Sequence, residues 1–95
     1  MVKWSKTATD DLKGIYDYIS KDSVIYARRV AEEIVNKSDY LEQYPNIGRA
    51  VPELSNPRIR ELIIYSYRMV YQVDNGNVEI LALIHSKKDF DLERE

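Results

Sequence analysis

An α+β fold, with an antiparallel helix hairpin laid on one face of a sheet, is predicted by three features of the sequence. Two apolar stripes at helical spacing follow one another between Thr7 and Leu41. Three runs rich in β-branched and aromatic residues fill Arg58 to His85. Asn75-Gly76 separates the last two of these runs. With 95 residues there is room for one domain, 1–95, and one core.

The chain opens with Val2-Lys3-Trp4-Ser5, whose alternation reads as a short strand. Thr7 with Asp10 offers a weak capping box, and Ala8, Leu12, Ile15, Tyr16 and Ile19 then recur at helical spacing. An amphipathic helix is expected over 7–20, slightly weakened by Gly14. Lys21-Asp22-Ser23 breaks the pattern and supplies a new N-cap. Beyond it Val24, Ala27, Ala31, Ile34, Val35 and Leu41 mark a second, longer helix that must stop by Pro45. Pro45-Asn46-Ile47-Gly48 is turn chemistry, and a loop is expected on through Pro52 to Pro57.

Arg58 to Ile64, Tyr67 to Val73 and Val78 to His85 then form a three-stranded antiparallel meander. Asn75-Gly76 is the strongest short hairpin signal, because a type I′ turn needs positive φ at both central positions. A two-residue loop there makes opposed residue numbers sum to a constant, setting Tyr71 opposite Ile80 and Arg68 opposite Leu83. One face then carries Tyr67, Met69, Tyr71, Val73, Val78, Ile80, Ala82 and Ile84, suited to covering by helices. The other carries Arg68, Val70, Gln72, Glu79, Leu81, Leu83 and His85, a half-polar surface suited to a partner. The tail from Ser86 to Glu95 is charged around Phe90 and Leu92, compatible with a docked turn or a frayed end.

Composition excludes several classes. Hydrophobic residues at 44% and charged residues at 32%, with three Gly and three Pro, rule out disorder and low complexity. There is no cysteine and only one histidine, which removes thiol nucleophiles, disulfides and multi-histidine metal sites, so no metal and no cofactor are expected. No apolar run is long enough to span a bilayer and no signal-peptide pattern opens the chain, so a cytoplasmic location without membrane contact is expected. The net charge of −2 lacks the basic field of a protein that binds nucleic acid by charge alone.

Taken singly, the polar groups have ordinary readings. Arg68 beside Glu79 or Gln72 could be a surface cross-strand pair, and a lone His85 is more often hydrogen-bonded structure than acid or base.

The order of elements, together with Ile15-Tyr16-Asp17-Tyr18-Ile19, Tyr44-Pro45, Gly48-Arg49, Pro52-Glu53-Leu54, Ile59-Arg60-Glu61-Leu62, Tyr67 to Val73, Val78-Glu79-Ile80-Leu81, Ile84-His85 and Lys88-Asp89, resembles the ParE/RelE superfamily. These are toxins of type II toxin–antitoxin systems, and the resemblance spans nearly the whole chain. It implies the RelE/ParE-like fold, a toxin neutralised by a cognate antitoxin, and a toxin–antitoxin hetero-oligomer.

The superfamily divides into ribosome-dependent mRNA endoribonucleases, or mRNA interferases, and DNA gyrase inhibitors, so the fold does not settle the target. A metal-independent nuclease needs a base for the ribose 2′-OH, cations for the phosphorane and an acid for the leaving oxygen. By resemblance, Arg60, Arg68 and Lys88 stand at basic positions of the nuclease branch, and Glu53, Arg68 and His85 could imitate a Glu-Arg-His set. No tyrosine follows Lys88, however, only Phe90. A two-residue turn at Tyr65-Ser66 would also send Arg58 and Arg60 to the face opposite Arg68, whereas an odd-length loop, which the nuclease site requires, would bring them together. The ParE-like, plasmid-stabilisation branch and gyrase inhibition are therefore the favoured expectation, which makes the chain a non-enzyme. The nuclease, with ribosome and mRNA as partners, is the alternative, and an inactive member kept as a binding partner is a third. Arg68, Leu81, Leu83, His85 and Lys88 are the expected contacts with antitoxin or target, with Arg68 replaceable at no cost to the fold.

Overall fold

In the computed structural model, which describes residues 1–88 and Phe90, the elements run β1 (Val2–Trp4), α1 (Lys6–Ser20), α2 (Val24–Tyr40), β2 (Arg49–Ala50), β3 (Ile59–Ile64), β4 (Tyr67–Asp74) and β5 (Asn77–His85). The predicted class holds: two helices pack on a mixed sheet ordered β1-β5-β4-β3-β2. No described helix is long and apolar enough to cross a membrane.

The cap of α1 is Ser5 and not Thr7. The Ser5 hydroxyl accepts from the Ala8 N–H at 3.0 Å and donates to the Leu81 carbonyl at 3.0 Å, a tertiary bond that Thr7 does not have. Ser23 caps α2 as expected by accepting from the Tyr26 N–H. The buried side of α2 is Ala27, Val30, Ile34 and Ser38, while Val24 and Val35, assigned inward by hydropathy alone, are exposed. Trp4 Nε1 donates to the Ser38 hydroxyl at 2.9 Å and so ties β1 to α2.

The loop expected over 46–57 contains a strand that the sequence did not signal. Arg49 and Ala50 pair with Glu61 and Arg60 as a two-residue edge. It can lie there because Gly48 passes so close that an added Cβ would sit 2.5 Å from the Glu61 carbonyl oxygen and 2.6 Å from the Tyr71 hydroxyl.

The meander turns as predicted at Asn75-Gly76, and the structure decides between the two loop lengths open at Tyr65-Ser66. Asn75 and Gly76 have φ of 50° and 83°, and Asp74 faces Asn77. Tyr65-Ser66 is a two-residue loop, with Ile64 facing Tyr67 and Tyr65 at φ 53°.

The register past Tyr71 is not as predicted. A β-bulge leaves Leu81 unopposed, so Val70 faces Ala82, Met69 faces Leu83 and Arg68 faces Ile84, where Leu83 was expected opposite Arg68. One inserted residue exchanges the faces of everything after it. Leu83 joins the helix-side core of Val30, Ile34, Met69, Tyr71 and Ile80, while Ala82 and Ile84 move to the other face. His85 follows Leu83, and its ring meets Tyr67 edge-on at 6.0 Å. The bulge is held from outside by α1. Besides the Ser5 bond to the Leu81 carbonyl, the Asp11 carboxylate accepts the Leu83 N–H at 3.0 Å, serving β5 where β1 has ended.

The second face is not open either. Val51, Leu54, Ile59, Val70, Leu81, Ala82, Ile84 and Phe90 form a smaller core of their own. Phe90, 5% exposed, shows the docked alternative for that point of the tail, while Leu92 lies outside the described residues.

Candidate functional site

The polar centre of the second face is a chain of four alternating charges. Glu61 projects from β3, Arg68 from the start of β4, Arg49 from β2 and Glu53 from the loop that follows it. The two-residue turn at Tyr65-Ser66 fixes this grouping, because it pairs Ile63 with Arg68 and Glu61 with Val70, placing Glu61 and Arg68 on one face.

Arg68 Nε donates to Glu61 Oε1 at 2.6 Å, and its Nη2 approaches the same oxygen at 2.6 Å. Nη1 and Nη2 grip Glu53 in a fork at 2.7 and 2.8 Å, and Nη1 also donates to the Lys88 carbonyl at 2.6 Å. Four of these contacts are hydrogen bonds, and the approach of Nη2 to Glu61 is an ion-pair contact. The other Glu61 oxygen accepts from Arg49 Nε at 2.6 Å. The Glu61 side chain has no exposure and that of Arg68 has 6%, so both charges depend on each other for solvation.

Glu53 also accepts the Phe90 N–H at 2.7 Å. Hydrogen bonding from Arg68 is the main reason its carboxyl is held down to about 2, outweighing a burial effect that pushes it up. The Arg68 guanidinium is correspondingly held more firmly charged, chiefly by Glu53. The cluster thus fastens the β2–β3 loop, the sheet and the segment after β5 to one another.

The residues named from sequence divide across the sheet. Arg68 and Glu53 meet, but Arg60 lies on the face of Tyr71, where Nη1 donates to the Gly48 carbonyl at 2.8 Å. His85 is also away from Arg68. It is exposed, and its Nδ1 accepts the Lys87 N–H at 3.2 Å. The Glu-Arg-His set and the Arg60–Arg68 pair are therefore not assembled. Leu81 and Leu83, expected to offer apolar surface to a partner, are 5% and 4% exposed because each fills one of the two cores.

His85 and the exposed Lys88 instead share a shallow groove of about 360 Å³ between α1 and β5, with Tyr18, Tyr67 and the bare backbone of Gly14.

Glu61 and Arg49 were missed as site residues. A signal existed for Glu61: in Ile59-Arg60-Glu61-Leu62-Ile63-Ile64 it occupies the same parity as Ile59 and Ile63, and the turn that excludes Arg60 from the Arg68 face puts Glu61 on it.

Residues 2–90 match the model of the ParE toxin of the type II toxin–antitoxin system parDE. The chain belongs to the ParE toxin family. Its relatives include Toxin RelE2 of Caulobacter vibrioides, 34% identical over 88 residues that cover 92% of this chain and 96% of that one. Among solved structures, the chromosomal ParDE system from P. aeruginosa is similar with a TM-score of 0.73 and 26% identity, covering 90% of this chain and 95% of that one. The YoeB–YefM complex from Staphylococcus aureus shares the fold, with a TM-score of 0.57 and 16% identity over 90% of this chain and 94% of that one. This ParE-family chain is the toxin component of a type II toxin–antitoxin system.

Proposed function

We propose that this toxin is neutralised by a cognate antitoxin and, when free, inhibits DNA gyrase without cleaving RNA. One observation carries the choice of target: Arg60 and Arg68 point to opposite faces, and Arg68 is buried with its guanidinium bonded to Glu61, Glu53 and the Lys88 carbonyl. A metal-independent ribonuclease must present cations together at a scissile phosphate. Here the arginine expected at the centre of such a site is buried and committed to partners within the chain. The slightly acidic net charge of −2 supports the same reading, since docking on ribosomal RNA gains from a basic surface.

In this reading Arg68 organises the second face and is a positioning residue. Antitoxin contact falls to the exposed groove of Tyr18, His85 and Lys88. Its Lys88 ammonium and aromatic walls suit an acidic, partly apolar segment that orders on binding. The ParDE and YoeB–YefM neighbours are complexes of a toxin with its antitoxin, which supports a partner of that kind.

The test is induction of the free toxin with DNA synthesis and translation followed in parallel, together with a supercoiling assay on purified gyrase. Loss of DNA synthesis and of supercoiling is expected. Early translation arrest with mRNA cut on ribosomes would overturn the gyrase reading in favour of the nuclease. Unimpaired growth would mark an inactive family member.

A further inference from the structure

We infer that α2 is the seam of a two-fold symmetric dimer of this chain, formed by its outward face. That face is turned away from the buried stripe of Ala27, Val30 and Ile34. Along it Ile25, Arg28, Glu32 and Val35 recur at spacings of three, four and three residues, the a and d positions of a heptad. All four are exposed, with Ile25 at 73% and Val35 at 41%. A surface helix ordinarily keeps such positions polar, yet here the two ends of the stripe are aliphatic.

The order of the four is self-complementary. In an antiparallel pair of α2 helices with a two-fold axis at the level of Val30, Ile25 of one copy meets Val35 of the other and Arg28 meets Glu32. Each contact occurs twice, as an isologous interface requires. Apolar thus meets apolar and cation meets anion under a single symmetry operation, whereas a parallel pairing would set Arg28 against Arg28 and Glu32 against Glu32. These charges are not already paired within the chain. The ion pair formed on α2 is Lys37 with Glu33, and neither Arg28 nor Glu32 takes part in one among the described residues. The contact runs over the eleven residues from Ile25 to Val35, about 15 Å of helix.

This second copy is the occupant the charge pattern selects, since a partner of one sign would leave either Arg28 or Glu32 facing its own charge. The face lies on the far side of the sheet from the Arg49–Glu61–Arg68–Glu53 cluster.

The test is sedimentation equilibrium of the full chain at micromolar concentration. Self-association to a dimer is expected, weakened about tenfold or more by Arg28→Glu and equally by Glu32→Arg, with the double variant Arg28→Glu/Glu32→Arg restored because the charges have exchanged places. The absence of cysteine makes a register test clean. An equimolar mixture of Ile25→Cys and Val35→Cys chains is expected to form a disulfide-linked pair that neither forms alone. A monomer at all concentrations, a dimer indifferent to Arg28→Glu, or a link formed by Ile25→Cys by itself would each overturn the proposal.

Discussion

Arg68 and Glu61 meet at 2.6 Å on a sheet face where the carboxylate is wholly closed to solvent. Such a pair does not stabilise strongly in itself, because both ions have lost their water. What it does is make each partner indispensable to the other.

Arg68→Ala is therefore expected to destabilise the chain, contrary to the surface role its sequence position suggested. It strands Glu61 and also releases Glu53 and the Lys88 carbonyl, so a loss of about 3–5 kcal/mol is expected, a large part of a small domain's stability. Urea unfolding checks this. The double variant Arg68→Met/Glu61→Leu is expected to recover most of the loss, since no buried charge is left alone. A single variant as stable as the parent would show that the pair is not what fastens this face.

Glu53 gives a pH signature. Its carboxyl ionises at about 2 in the folded chain against an ordinary value of 4.5. Above about 4.5 it is charged in both states and its contribution is complete. As the pH falls below that, the unfolded chain takes up the proton while the folded chain resists, so stability is lost progressively down to about 2. Glu53→Gln should flatten this part of the stability profile. Thermal melts from about pH 5 down to about pH 2, which cover this window, measure the difference. Parallel profiles for parent and variant would contradict it.

Gly48→Ala should be costly despite its small volume. The new methyl would meet the Glu61 carbonyl oxygen at 2.5 Å and the Tyr71 hydroxyl at 2.6 Å, and the backbone oxygen cannot step aside without moving β3. Overpacking of this kind costs about 1–3 kcal/mol. Tyr71→Phe removes the acceptor of the Gly48 N–H, a 2.9 Å bond between buried groups, and should cost about 1–3 kcal/mol by leaving that donor unsatisfied. Thermal unfolding of both variants decides, and a Gly48→Ala melt matching the parent would refute the close approach.

Lys88→Glu and Tyr18→Ala should weaken antitoxin binding with little change in melting temperature, because both side chains are exposed on the groove between α1 and β5. Lys88 holds Arg68 through its carbonyl, which the substitution retains. Titration calorimetry with the antitoxin provides the readout. Unchanged affinity in both variants would place the contact elsewhere.

Much of the fold was legible because its signals are local. Ser23 needs only the next three residues to cap α2, and Asn75-Gly76 encodes a type I′ turn whatever surrounds it. The helices and the three meander strands follow from periodicity, which reflects one buried and one wet face. The separation of Arg60 from Arg68 turned on the loop length at Tyr65-Ser66, which local pattern left open between two residues and an odd number. The family strings, spread over the chain in order, supplied the toxin assignment that no isolated residue could.

The features that stayed hidden are those made by residues far apart in the chain. The bulge at Leu81 leaves no mark in Val78 to His85, because the groups that hold it are Ser5 and Asp11 at the other end of the chain. With it went the faces of Leu83 and His85. The edge strand Arg49–Ala50 depends on the shape of Gly48 against Tyr71, and the second core depends on Phe90 returning to a face that looked open. Local patterns suffice to say which segments become helices and strands and that the chain turns back at Asn75-Gly76. Which charges ended buried together, and so ceased to be surface, was decided by long-range packing, because a carboxylate such as Glu61 acquires its environment from chain neighbours that no local pattern specifies.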